Sequence, residues 1–98
     1  MWRHGDVLIE YAAAIPADAT LRDDVILAYG ELTGHAHRIE TPDSAQLWEH
    51  DGVLFMRIVA PTATIVHEEH KPITLKKGIY RVWKQREYTP GMIRDVWD

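Results

Sequence analysis

The chain has 98 residues, which is enough for one domain but too few to divide between two hydrophobic cores. Its 46% hydrophobic residues can build such a core. Its net charge of −4 disfavours nucleic acid as a partner, because binding to a phosphate backbone needs a basic surface. The absence of cysteine excludes disulfides and thiolate ligands, so any metal site must use histidine nitrogen and carboxylate oxygen.

The N-terminal residues do not have the pattern of a signal peptide. Asp6 and Glu10 interrupt the N-terminal residues, so no basic start followed by an apolar run is present there. No stretch of the sequence approaches the length of a membrane span. We therefore expect a soluble cytoplasmic protein without membrane contacts.

Strand patterns dominate the first half of the chain. Three segments alternate or are rich in β-forming residues: residues 6–12 (DVLIEYA), 24–33 (DVILAYGELT) and 37–40 (HRIE), the last continuing the second beyond an irregularity at Gly34. Between the first two lies a short helical candidate, residues 16–24 (PADATLRDD). The composition of residues 41–45 (TPDSA) predicts a turn.

The second half of the chain continues the series of strands. Five further strands are predicted: residues 45–50, 53–60, 63–68, 72–75 and 79–88. Asp51-Gly52 predicts a hairpin turn after His50, Pro61 ends one strand, and Lys77-Gly78 separates the last two. The tail, residues 91–98, has apolar residues at helical spacing and predicts a turn of helix.

Seven or eight short strands joined by turns about every ten residues are typical of all-β folds. We therefore predict a single domain over residues 1–98, built as a small antiparallel β-barrel or sandwich.

The first histidine cluster is TGHAHRIE, residues 33–40. On an extended strand His35 and His37 point to the same side, which makes them a chelating pair for a metal ion. Glu40 follows three residues later and joins them only if a bulge near Arg38 resets the alternation.

The second histidine cluster is VHEEH, residues 66–70. Strand alternation favours His67 as a third ligand, with His70 or Glu69 as a fourth ligand or as a group that orients one. Glu68, Glu69 and Glu40 are candidates for a general base or for a group that orients an imidazole, with Glu68 and Glu69 as the predicted catalytic residues. The two remaining histidines, His4 and His50, lie next to turn residues, and we expect them to be exposed and outside the site.

The order of these residues resembles the first motif of the cupin superfamily, in which two histidines one residue apart precede a glutamate and a later histidine. Gly34-His35-Ala36-His37-Arg38-Ile39-Glu40 followed by His67 carries the resemblance. It implies a small β-barrel with His35, His37, Glu40 and His67 as metal ligands. The chain also resembles short bacterial or phage-encoded hypothetical proteins, a likeness that implies no activity.

Three functions follow from these clusters. A site of three histidines with one open position suits zinc and activates water for hydration of carbon dioxide or hydrolysis of a small substrate. Two histidines with one carboxylate suit the Fe²⁺ or Mn²⁺ of a cupin-like oxygenase or isomerase. The third is a non-catalytic interaction module. We also expect a homo-oligomer, in which a neighbouring subunit could complete the metal site.

Overall fold

A computed structural model of the protein describes residues 1–30 and 32–85. Eight β-strands account for most of these residues: β1 (Trp2–His4), β2 (Val7–Tyr11), β3 (Thr20–Leu21), β4 (Ile26–Tyr29), β5 (Ala36–Ile39), β6 (Ala45–His50), β7 (Val53–His67) and β8 (His70–Lys84). Pro42–Ser44 forms a 3-10 turn before β6. The all-β prediction is confirmed. In the part of the chain that the structure describes, no helix has the length and apolar character needed to span a bilayer.

All strands belong to one antiparallel sheet that curls into a half-barrel. The main path runs β1-β2-β8-β7-β5-β4. The first part of β7 also pairs with β6, whereas Ile65 and Val66 near its end pair with β5. β7 therefore carries two strands in succession on the side opposite β8. This arrangement wraps the sheet around its core and agrees with the predicted small antiparallel barrel.

The prediction that Pro61 ends a strand is wrong. β7 continues through this residue to His67 as one strand of 15 residues. The register with β8 shifts between Ile58 and Thr62, so Pro61 lies in an irregular stretch of the ladder. A proline has no amide hydrogen to contribute to a ladder, and such a stretch is where a long strand tolerates it.

The turns predicted around β8 are also misplaced. Lys77-Gly78 lies inside the strand, with Gly78 opposite Ile58 of β7. The chain reverses at Glu68-Glu69, because His67 pairs with His70 directly across this turn. The segments predicted as separate strands on either side of Lys77-Gly78 are therefore one arm of a long hairpin.

Other predictions have mixed outcomes. The Asp51-Gly52 turn is confirmed, and both of its residues have the positive φ that a tight hairpin turn requires. The helical candidate at residues 16–24 is not a helix in the structure, because this segment contains a turn and the short strand β3. The sequence analysis missed β1. Residues 86–88 of the last predicted strand and the helical tail, residues 91–98, lie outside the described residues.

The concave side of the half-barrel holds the hydrophobic core. Its fully buried members come from four of the strands, β2, β6, β7 and β8: Val7, Ile9, Leu47, Met56, Ile58, Ile65, Leu75 and Tyr80. Beyond this core, three connections meet at one end of the barrel: the β1–β2 turn, the β4–β5 connection and the β7–β8 turn. Each connection is flanked by at least one histidine.

Candidate metal centre

Five of the six histidines meet at this end of the barrel: His4, His35, His37, His67 and His70. The ring centroids of His37 and His67 lie 4.4 Å apart, and those of His67 and His70 lie 4.7 Å apart. The two histidine clusters, which are separated in the sequence, are therefore in contact in the fold.

Within the described residues two sets of ligand atoms are close enough to hold a metal ion. The inner group consists of His37, His67 and His70, and the outer group of His35, His67 and Glu68. Ligand atoms within each group lie within 4.8 Å of one another. Ligand atoms of a tetrahedral zinc site lie roughly 3.3 Å apart, so the side chains need to approach by no more than about 1.5 Å.

The protonation pattern of His37 is fixed by its neighbours. His4 Nε2 lies 3.0 Å from the carbonyl oxygen of Lys71, which only accepts hydrogen bonds, so this nitrogen carries a proton and donates it. The other nitrogen of a neutral His4, Nδ1, is then an acceptor and receives the Nδ1–H of His37 at 2.8 Å. His37 Nε2 is left with a free lone pair, which is the form that binds metals.

Burial keeps both of these histidines neutral. His4 and His37 are each 2% exposed. Burial, with the nearby His67 and His4 rings as a further cause, lowers the pKa of His37 from 6.5 to about 4. Burial likewise lowers the pKa of His4. The carboxylate of Asp6 lies 3.4 Å from His37 Nε2 and opposes the shift. His37 is therefore a neutral imidazole at pH 7.

The hydrogen bond to His67 must change when a metal binds. The backbone amide of Glu69 donates to His67 Nδ1 at 2.9 Å, so a neutral His67 carries its proton on Nε2. A metal at Nδ1 displaces the amide, and a metal at Nε2 forces the proton onto Nδ1. A neutral His67 that binds a metal through either nitrogen therefore loses the hydrogen bond from the Glu69 backbone amide.

The carboxylates of the β7–β8 turn have different partners. Glu68 accepts hydrogen bonds from the Ala36 amide at 3.0 Å and from Arg38 at 2.8 Å. The backbone hydrogen bonds, together with the guanidinium, lower the pKa of Glu68 to about 2. Glu69 accepts the Nδ1–H of His35 at 3.0 Å, and Nε2 of a neutral His35 is then unprotonated. Glu68 thus links the β7–β8 turn to β5, whereas Glu69 orients the imidazole of His35.

Two glycines make room for the imidazoles. A Cβ atom on Gly5 would lie 2.7 Å from His70 Nε2, and Gly5 has a φ of 64° that side chains rarely adopt. A Cβ atom on Gly30 would lie 2.9 Å from His67 Nε2. Any larger residue at either position must push a histidine of the inner group away.

A cleft of about 450 Å³ opens beside the inner group. It is lined by the three histidines of that group and by Gly5, Asp6, Tyr29, Gly30, Leu32 and Glu69. A small molecule can therefore reach the side of the inner group that the core does not cover.

The structure sorts the residues predicted from the sequence. It brings His35, His37, His67 and His70 together, but places His35 and His37 in different groups. Glu40 is exposed and belongs to neither group among the described residues. The bulge expected near Arg38 lies instead on the partner strand β4, so Glu40 keeps the orientation opposite to that of His37.

The sequence analysis missed two residues of the site. The expectation that His4 is exposed and outside the site is wrong, because its imidazole is buried against His37. The second missed residue is Asp6, whose carboxylate lies 3.4 Å from His37 Nε2. The available signal was Gly5 between WRH and VLIEY, since a glycine at the first position of a two-residue turn predicts a hairpin. His50 lies outside the cluster, 2.9 Å from Asp18.

Comparison with known proteins gives one match. A protein-family profile described as a domain of unknown function (DUF8820) matches residues 3–85. No curated protein matches the chain, and no solved structure does. The matched region contains every histidine of both candidate groups.

Proposed function

The chain belongs to the DUF8820 family, and from its histidine cluster we propose that it is a metalloprotein holding one divalent ion, zinc, at His37, His67 and His70. We further propose that this ion activates water for the hydration or hydrolysis of a small substrate. Imidazole is a preferred ligand of zinc, and three histidines with an open fourth position are typical of catalytic zinc sites.

The observation that carries this proposal is the hydrogen-bond relay from His37 through His4 to Lys71 O. Buried imidazoles need hydrogen-bond partners for their ring nitrogens, and this relay supplies them for both nitrogens of His4 and for Nδ1 of His37. This relay leaves the lone pair of His37 on Nε2, and His37 belongs to the group formed with His67 and His70. Such partners behind a metal-binding histidine fix its orientation and raise its basicity.

When bound, zinc lowers the pKa of a coordinated water towards 7 and so supplies hydroxide near neutral pH. The three histidines hold the ion, and the cleft beside them admits the substrate. Asp6, 3.4 Å from His37 Nε2, and Glu69 both line that cleft and offer a carboxylate to accept a proton there. Glu68 is unsuited to this role, since its carboxylate is engaged by Ala36 and Arg38.

A second candidate function has its own support in the outer group. His35, His67 and Glu68 supply two imidazoles and one carboxylate, the set that suits Fe²⁺ or Mn²⁺ in oxygenases and related enzymes. The groups share His67, so the same imidazole nitrogen cannot serve both ions at once. Variants outside the shared residue therefore distinguish the two candidates.

The test is the metal content of protein purified without a histidine tag, measured by elemental analysis. We expect about one equivalent of zinc in the wild type, and its loss in His37→Ala and His70→Ala. His35→Ala and Glu68→Gln should retain it, as should the control His50→Ala, which removes the histidine outside the cluster. Loss of iron or manganese in His35→Ala and Glu68→Gln instead favours the second candidate.

Absence of metal in the wild type, even after incubation with zinc, contradicts both candidates and favours a non-catalytic interaction module. Catalysis is tested separately on zinc-loaded protein, by carbon dioxide hydration and by hydrolysis of activated esters. We expect Glu68→Gln to retain turnover and His37→Ala to lose it. Equal turnover in the wild type and His37→Ala contradicts the catalytic part of the proposal.

A further inference from the structure

We propose that the cleft beside the inner group takes a small neutral or cationic substrate with an apolar portion and disfavours anions. This inference rests on the proposed metal site, and it concerns the charge of the groups that surround that site.

Apart from the histidines, the acidic residues Asp6 and Glu69 supply the charged side chains among the described residues that line the cleft. Asp6 has 45% of its side chain exposed and Glu69 has 57%, so both face solvent as well as the cleft. No lysine or arginine is among the described residues that line it. An anion entering the cleft therefore approaches two negative charges and no fixed positive side chain.

Two cations near the site, Arg38 and Lys84, have partners outside the cleft. Arg38 pairs with Glu68 at 2.8 Å. Lys84 donates to the carbonyl oxygen of Tyr29 at 3.2 Å, and its side chain lines a separate groove with Val7 and Val82. Neither cation belongs to the lining of the cleft, so neither offsets the two carboxylates there.

The charges around the site balance when a divalent ion is present. Two positive charges from the ion meet two negative charges from Asp6 and Glu69, while the imidazole ligands are neutral. A zinc site without flanking carboxylates keeps a net positive charge and attracts anions. Here an anion gains little net attraction, a neutral molecule is unaffected, and a cation is repelled far less than at a site without the carboxylates.

The remaining wall of the cleft is apolar. The side chains of Tyr29 and Leu32 are exposed and lie on its lining. They offer a contact for an aliphatic or aromatic group of the substrate, next to the position where water would be activated. A small ester or amide with an uncharged or cationic substituent satisfies both the apolar wall and the acidic lining.

The inference is tested with Co²⁺-loaded protein, whose visible absorption reports ligands that bind the metal. Azide serves as the anionic probe and 1-methylimidazole as the neutral one. We expect Asp6→Asn and Glu69→Gln each to raise azide affinity by roughly tenfold, because each removes a negative charge near the bound anion. The affinity for 1-methylimidazole should stay within about twofold. Asp43→Asn, an equal charge change on the exposed 3-10 turn, is the matched control.

The outcomes separate this inference from the proposed function. Failure of Co²⁺ to bind the wild type overturns the proposed function and the inference with it. Binding of Co²⁺ with azide affinity unchanged in both carboxylate variants, or raised equally in Asp43→Asn, overturns the inference alone. An ester series differing only in a terminal trimethylammonium, methyl or carboxylate group extends the test, and preference for the carboxylate ester contradicts it.

Discussion

The buried imidazole of His37 should make the metal-free protein sensitive to acid. In the unfolded chain its pKa returns to about 6.5, whereas in the folded protein it is about 4. Between these values the unfolded state binds the proton and the folded state does not, so the free energy of unfolding falls as the pH falls. A difference of about 2.5 pKa units corresponds to roughly 3 kcal/mol, lost between pH 7 and pH 4.

Two features allow this loss in the free energy of unfolding to be assigned to His37. His37 is 2% exposed, so solvent screening reduces the effect little. The depressed pKa values of Glu68 and Asp24 act in the same direction but at lower pH, because their stabilisation is lost only below the ordinary pKa of a carboxyl group. His4 also has a lowered pKa and adds to the loss in the same window as His37.

The assay is urea denaturation of EDTA-treated protein at pH 7.0 and pH 4.5, followed by tryptophan fluorescence. We expect the wild type to lose at least about 2 kcal/mol more than His37→Gln between these two pH values. The comparison uses the change with pH, so a lower starting stability of the variant does not affect it. Equal pH dependence of the two proteins would refute the assignment of His37 as a buried neutral imidazole.

Three further predictions concern the groups around the metal. His4→Gln should weaken zinc binding by roughly 10- to 100-fold, measured by competition with a chromophoric chelator, and an unchanged affinity contradicts the relay. Gly30→Ala should weaken zinc binding because its Cβ displaces His67, whereas alanine at the exposed Gly34, where a Cβ meets nothing within 4 Å, should leave affinity unchanged in the fraction that folds. The Glu69 amide proton should shift upfield on zinc addition as its bond to His67 breaks, and a static resonance argues that His67 does not bind the metal.

The local part of the site could be predicted from the sequence. His35-Ala36-His37 and His67-Glu68-Glu69-His70 are visible because their members are neighbours in the chain. Strand alternation also favoured His67 as a ligand on the second strand. Strand alternation does not show which distant strands pair. It therefore could not predict that His35 and His37 belong to different candidate groups.

The missed part of the site depends on long-range contacts. His4 reaches His37 because β1 pairs with β2, and because the β7–β8 hairpin brings Lys71 O to the other side of its ring. Gly5 predicts the β1–β2 hairpin, but it gives no sign of the contacts of His4 with His37 and with Lys71 O. Burial of His4 therefore follows from the tertiary structure and not from its neighbours in the sequence.

The fold class was predictable, whereas the lengths of the last strands were not. Alternation and turn residues are local, and they indicate an all-β chain correctly. Pro61 and Gly78 are normally strand breakers, yet both lie within long strands of one hairpin. Pro61 is tolerated because the ladder is irregular there, and that irregularity is a property of the pairing with β8.

The most direct test is a crystal structure of zinc-soaked protein with anomalous data collected at the zinc edge. We predict one peak at roughly 2.0–2.1 Å from a nitrogen of each of His37, His67 and His70, with Nε2 as the ligand atom of His37. A peak between His35 and Glu68, or no peak at the barrel end in a crystal that diffracts well, contradicts the assignment of the inner group as the metal centre.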